Sequence, residues 1–247
     1  MTDFIFDREE ERLALKQRLV NKKSFLFHGP AGVGKTLLIH SLLLQQPEIL
    51  YCGLSGTAQA VFRNIAYELL DRREQALVSA CRNQRGIEAK SAVSLKGIVM
   101  DALRRGNYSI VLDHLNRPSQ SFASVAREII SWGSSPVIAI ARSSHMEDTG
   151  FLQSLFSDRS AKYELKNFDG ATAQEFAEDI IRQVGLSAGN VGDLVRRIVE
   201  LSEGNPGAIS SMLQMAKHPK YRTDDSIKIT PLYIDFRMSW SSVGRNH

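Results

Sequence analysis

The residues best suited to chemistry lie between Gly29 and Thr36. Gly29-Pro30-Ala31-Gly32-Val33-Gly34-Lys35-Thr36 fits the spacing G-x-x-x-x-G-K-[ST] in full. Each residue type has a task at a phosphate. Glycines allow backbone turns closed to other residues and bring main-chain N–H groups close to an anion. A helix opening at the end of the loop adds donors and a favourable dipole end. Lys35 supplies a mobile point charge for the terminal phosphates. The Thr36 hydroxyl is a hard oxygen ligand suited to Mg²⁺.

A second element is Ile110-Val111-Leu112-Asp113, an apolar run ended by an acid. In open parallel sheets, ligands bind beyond the carboxyl ends of the strands. Asp113 is therefore expected to hold the Mg²⁺ shell opposite Thr36, and the two elements read as Walker A and Walker B. An Asp after a strand is also a common turn residue; the loop upstream favours the functional role. His114 follows, where NTPases of this broad type carry Glu or Asp to orient the attacking water. Histidine can take a proton near neutral pH. It is the poorer base in that position, which predicts hydrolysis that is slow or needs a partner. Packing at the strand end is the other role open to it.

These groups need elements to hold them, and the hydrophobic pattern supplies an alternating set. Residues 8–20 place Leu15 and Leu19 four apart and predict a helix. Phe25-Leu26-Phe27 predicts a strand ending at Gly29. Helices are expected at 35–45, 91–105 and 119–131, and 57–82 is expected to be mostly helical, with a basic, Gly-containing break around Arg85-Gly86 before the helix at 91–105. Strands are expected at 49–54, 108–113 and 136–141, with a weaker one at 162–166. Near-continuous apolar strands, each followed by a helix, indicate a parallel sheet covered on both faces. After Phe168 the pattern becomes helical. Thr172 with Glu175 has the form of a capping box, followed by helices near 190–202 and 207–217. The remainder holds a candidate short strand, SIKITPLYI, and a polar end.

Composition narrows the class. With 43% hydrophobic and 23% charged residues, the chain argues against disorder, collagen-like repeats and coiled coil. At 247 residues it can bury a large core without disulfides. No apolar run approaches the roughly 20 residues of a membrane-spanning helix. The start, MTDFIFDREEER, carries acids where a signal peptide would be basic and then apolar. The expectation is a cytoplasmic protein without membrane partners. Cys52 and Cys81 suit a reducing compartment and lack metal-site spacing. A net charge of +4 permits nucleic acid as a partner without demanding it.

Taken together, the motifs resemble the AAA+ superclass, and more narrowly the signal-transduction ATPases with numerous domains (STAND) and related archaeal-type ATPases. Phe6-Asp7-Arg8-Glu9-Glu10-Glu11 is similar to a "GRExE" motif upstream of the phosphate loop, with Asp7 in place of Gly. Ile138-Ala139-Ile140-Ala141-Arg142 resembles a strand followed by a sensor arginine. Glu203-Gly204-Asn205-Pro206-Gly207-Ala208-Ile209 resembles the "GxP" motif of a helical lid. The resemblance spans about residues 4–216.

It implies an α/β fold: a P-loop NTPase three-layer sandwich with a parallel five-stranded sheet, followed by a small all-helical lid domain. The corresponding division is 1–168, 169–217 and a tail at 218–247. The implied cofactors are ATP and Mg²⁺, the adenine being an inference from the family. The implied contacts are Gly29 to Thr36 and Lys35 on phosphate, Thr36 and Asp113 at the metal, Arg142 at the terminal phosphate, and Arg8 and Pro206 near the base. Pro206 also has a full explanation as a first helical residue. Arg159 resembles a finger acting in a neighbouring subunit, or is an ordinary loop arginine. A protein partner or homo-oligomer is implied, and about 30 residues after the lid leave no room for the further domains usual in STAND proteins.

Overall fold

The computed structural model describes residues 6–43, 45–53, 57–132 and 135–243. Two compact units divide them: 8–29 with 35–164, and 6–7 with 30–34 and 165–243.

The first unit is built on five parallel strands: β1 (Phe25–His28), β2 (Ile49–Cys52), β3 (Ser109–Leu112), β4 (Val137–Ala141) and β5 (Lys162–Glu164). Their order is β2-β3-β4-β1-β5. All four pairings are parallel, with Val111 opposite Ile138 and Phe27 opposite Ile140. Every residue of β3 and β4 is buried, as a sheet covered on both faces requires. The covering helices are α1 (Glu9–Val20), α2 (Lys35–Leu43), α3 (Ala58–Asp71), α4 (Gln75–Cys81), α5 (Gln84–Glu88), α6 (Ala92–Arg105), α7 (Gln120–Trp132) and the short α8 (Met146–Thr149). Val61, Ile65 and Leu69 of α3, Leu95, Val99 and Leu103 of α6, and Phe122, Ala126 and Ile129 of α7 recur at helical spacing and join one core. β4 lies between β1 and β3, which brings their carboxyl ends side by side.

The second unit is helical: α9 (Gly170–Val184), α10 (Val191–Ser202), α11 (Pro206–Ala216) and α12 (Ile229–Val243). Its core gathers Ala173, Ala177, Leu194, Ile198, Ile209, Met212, Leu213, Leu232 and Phe236. Phe6 packs in the same unit on Phe168 and Phe176, with ring centroids 6.1 and 5.3 Å away.

Several expectations change. The segment 57–82 is mostly helical as expected, and it is two helices parted after Asp71, where Arg73 adopts φ +57°. Arg85-Gly86 is not a break but lies within α5, capped by Asn83 accepting from the Gly86 N–H at 3.0 Å. The cap of α9 is Asp169, accepting from the Thr172 N–H at 2.9 Å, rather than Thr172 itself. An Asp directly before Gly-Ala-Thr offers the carboxylate three residues ahead of a free donor and takes the role first. The strand expected at 49–54 ends at Cys52; Leu54 lies outside the described residues, as does Leu44 of the helix expected at 35–45. The candidate strand SIKITPLYI is instead a bridge, Arg222 to Ile227, followed by α12. Ile229, Leu232, Phe236 and Trp240 fall at helical spacing, and burying that stripe outweighs the β-propensity of the local run.

Because Leu232 is fully buried, Leu232→Ala is expected to cost about 2–5 kcal/mol. Equilibrium denaturation measures this; a cost near zero would show that α12 is not part of the core.

Candidate functional site

The carboxyl ends of β1, β3 and β4 carry Gly29, Asp113 and Arg142. Asp113 is the centre of the arrangement, only 2% exposed. Its Oδ2 accepts from the Thr36 hydroxyl at 2.8 Å and from the Tyr51 hydroxyl at 2.8 Å. Its Oδ1 accepts from the His114 N–H at 2.6 Å. A buried carboxylate is tolerated when donors compensate its lost hydration, and here three do so. The Thr36 contact joins residues 77 apart in sequence. It places a hydroxyl and a carboxylate together at the mouth of the sheet.

Lys35 starts α2, and its Nζ donates to the Gly29 carbonyl at 2.6 Å. Burial pushes its amine down to about 8; Asp113 and Asp148 oppose the shift and Arg142 adds to it. Lys35, Asp113, Arg142 and Asp148 therefore share one electrostatic neighbourhood. Asp148, not foreseen from the sequence, accepts from the Ser143 hydroxyl one turn beyond β4. Nothing in the local pattern marks it, since its role comes from the position of β4 beside β1.

Residues 30–34 belong to the helical unit. Gly32 and Gly34 have φ of +78° and +101°, a region open to glycine. The Gly207 N–H donates to the Gly32 carbonyl at 3.0 Å, and Asn205 Nδ2 donates to the Ala31 carbonyl at 2.9 Å. A Cβ on Gly32 would lie 2.8 Å from Asn205 Oδ1 and 3.0 Å from the Trp240 ring. A Cβ on Gly207 would lie 2.8 Å from the Gly32 backbone. The segment Asn205-Pro206-Gly207 thus grips the loop through its carbonyls. Pro206 is the first residue of α11, with Asn205 as its cap accepting from the Ala208 N–H at 3.0 Å. Of this segment, sequence reasoning singled out Pro206 alone; the gripping residues are its two neighbours.

The other candidates are placed as follows. His114 has φ +54° and an exposed ring, with Nε2 3.9 Å from Asp113 Oδ2. At that distance there is no hydrogen bond, so what the residue gives Asp113 is its main-chain N–H. Arg8 is buried just ahead of α1 and pairs with Glu11. Arg159 is exposed in the 3₁₀ turn before β5. The chain carries three arginine doublets, Arg72-Arg73, Arg104-Arg105 and Arg196-Arg197; Arg72 holds Glu68 and the carbonyls of Pro47 and Ile49, and Arg104 caps the Trp132 carbonyl. Arg196 and Arg197 pair with Asp193 and Glu200.

The donor chemistry fits a hard divalent cation. A hydroxyl and a carboxylate oxygen 2.8 Å apart are both oxygen ligands. Among the described residues no three His, Cys, Asp or Glu side chains gather into a cage. A cation held at Thr36 and Asp113 would therefore complete its shell with phosphate and water, as Mg²⁺ commonly does.

The parallel sheet order and its covering helices make an α/β P-loop NTPase fold. No family model and no curated protein matches the chain. Among solved structures it is similar to the Walker-type ATPase PABY2304 of Pyrococcus abyssi, with a TM-score of 0.64 and 17% identity over 97% of this chain and 75% of that one. Cdc6p from Pyrobaculum aerophilum matches with a TM-score of 0.58 and 13% identity, over 85% of this chain and 61% of the other. A RuvB variant of Thermotoga maritima matches at 0.55 and 13%, over 94% and 67%. At these identities the likeness is one of fold. No helix among the described residues is long and apolar enough to cross a membrane.

The Lys35 amine falls from an ordinary 10.5 to about 8 in the folded chain. Between those values the unfolded chain keeps a proton that the folded chain has released, so this group makes stability rise with pH across that window. Below it both states are charged and the buried ammonium is a constant cost. Lys35→Met is therefore expected to be more stable than wild type at pH 7, with the advantage shrinking from pH 8 upward. Denaturant melts across pH test this; a difference independent of pH would refute it.

Proposed function

We propose that this chain is a Mg-ATP-binding ATPase module of AAA+/STAND type, acting as a nucleotide-controlled switch or assembly module with slow hydrolysis. The observation that carries the reading is the 2.8 Å contact between Thr36 and Asp113. It joins the end of the G-x-x-x-x-G-K-T loop to the acid after β3. In this reading Gly29 to Thr36 wrap a polyphosphate with main-chain N–H groups, and Lys35 leaves the Gly29 carbonyl to meet it. Thr36 and Asp113 hold the Mg²⁺, which supplies charge neutralisation at the phosphates. Arg142 and Pro206 act at the terminal phosphate and the base.

Slow turnover follows from His114. The ring is turned into solvent on a left-handed residue and makes no hydrogen bond with Asp113. It is a weak candidate for fixing an attacking water. Arg159, exposed ahead of β5, is free to serve a neighbouring copy, which supports assembly as the output. The two cysteines are free and buried, consistent with a cytoplasmic setting.

Two alternatives stand beside it, a non-hydrolysing nucleotide-binding scaffold and an ATP-dependent DNA-associated regulator of the transposition or initiator type, and the basic residues give the DNA-associated one less support. Arg72, Arg104, Arg196 and Arg197 are engaged by neighbours on their own surface. Salt-dependent binding to duplex DNA with ATP present would revive it.

Calorimetry in Mg²⁺ buffer is expected to show ATP binding to the wild type. Lys35→Ala should weaken it by about ten- to a hundredfold, the scale of one charge-assisted hydrogen bond. Absence of wild-type binding would end this reading. His114→Glu is expected to raise phosphate release above wild type while leaving nucleotide affinity within about threefold. An unchanged rate would show that the group after Asp113 does not limit turnover.

A further inference from the structure

Tyr51 plays no part in the motifs, yet its hydroxyl reaches the same oxygen of Asp113 as Thr36 does. β2 runs beside β3 with Tyr51 opposite Val111 and Cys52 opposite Leu112. Tyr51 therefore stands one strand away from the acid, near the same carboxyl edge of the sheet. Its flanking residues Leu50 and Cys52 are fully buried on the other face. The Tyr51 ring leans on His40 of α2, centroids 4.7 Å apart and 58° between planes. His40 thus limits where the phenol can swing. The phenol hydroxyl has one proton to give, and it donates it to Asp113 Oδ2 at 2.8 Å.

A carboxylate has about four acceptor sites, and three of those on Asp113 are used. The torsion that turns a carboxylate about its own axis is soft. The His114 N–H pins one oxygen. On the other, Thr36 is an unsteady partner, because its oxygen is also the one offered to a cation. Tyr51 has no such second duty. Mg²⁺ demands near-ideal octahedral geometry, so a carboxylate free to turn would serve it poorly.

We propose that Tyr51 is a positioning residue for the cation-holding acid: its hydroxyl fixes Asp113 Oδ2, so that the carboxylate meets the Mg²⁺ of a bound nucleotide in a single orientation. This rests on the phosphate-binding reading of Gly29 to Thr36. Tyr51 acts through Asp113 and touches neither nucleotide nor metal. Its contribution is therefore confined to the metal-dependent part of binding.

Tyr51→Phe removes one oxygen and keeps the ring on His40. The affinity of wild type and variant for a non-hydrolysable ATP analogue is measured by calorimetry, once with Mg²⁺ and once with EDTA. The expected result is an unchanged affinity in EDTA and a loss of about tenfold from the gain that Mg²⁺ confers, with the thermal midpoint moved by no more than a few degrees. An equal Mg²⁺ gain in both proteins overturns the proposal. So does an equal loss in both buffers, which would mark Tyr51 as merely structural. A second readout is the tyrosine absorption difference when Mg²⁺ is added to the analogue-loaded protein. It is expected in wild type and absent in Tyr51→Phe; a wild-type spectrum that ignores the cation overturns the proposal. Failure of the phosphate reading is distinguishable, because wild type would then bind the analogue in neither buffer.

Discussion

A carboxylate with almost no water of its own sets the terms for the sheet unit's chemistry. Asp113 is buried at the end of β3 and survives there because two hydroxyls and one main-chain N–H point at it. Each donor comes from a different element. Thr36 is on α2, Tyr51 on β2, and the N–H belongs to the residue after the acid. The parallel order β2-β3-β4-β1-β5 brings these elements to one edge. Had the acid been exposed, its charge would be screened and its orientation loose. Burial makes it a directed charge, and the same burial makes its partners obligatory.

Lys35 shows the complementary effect. Its ammonium is partly withdrawn from water beside Arg142, which pushes its pKa down, while Asp113 and Asp148 hold it up. The amine settles on the Gly29 carbonyl. A polyanion arriving at such a lysine would supply the negative charge that burial denies it. That is a physical reason for a cation to be kept half-buried at the start of a helix, where main-chain donors favour the same kind of ligand. The grip of Asn205 and Gly207 on residues 31 and 32 belongs to the other unit and follows a steric rule instead. Gly207 has to be glycine because a Cβ there would strike the Gly32 backbone.

Not every feature of the motif carries equal weight in the folded chain. Pro206 satisfies its helix as a first residue, and the contacts to the loop come from the residues on either side. His114 contributes its main chain to the acid and turns its ring outward. The arginine pairs that lend the chain its basic character are mostly spent on ion pairs and helix ends. Net charge alone was therefore a weak guide to a partner.

The glycine spacing, the helix-opening Lys-Thr and the acid after an apolar run are local facts, and they were legible because a G-x-x-x-x-G-K-T loop is a contiguous stretch of sequence. The alternation of buried strands and amphipathic helices was legible too, since period and apolar content decide burial one element at a time. Tyr51, Asp148 and Asn205 were not, because each acquires its role from a neighbour that only strand order or helix packing brings close. Residues after 217 were misread for a related reason. Their β-prone run SIKITPLYI sits at the edge of a longer helical stripe, and the gain from burying Leu232 and Phe236 outweighs local preference. Residue type and spacing thus determined what chemistry the chain can offer. Which donors surround Asp113, and how they are aimed, came from long-range pairing, because a hydrogen bond between residues 62 or 77 apart leaves no trace in any short window of sequence.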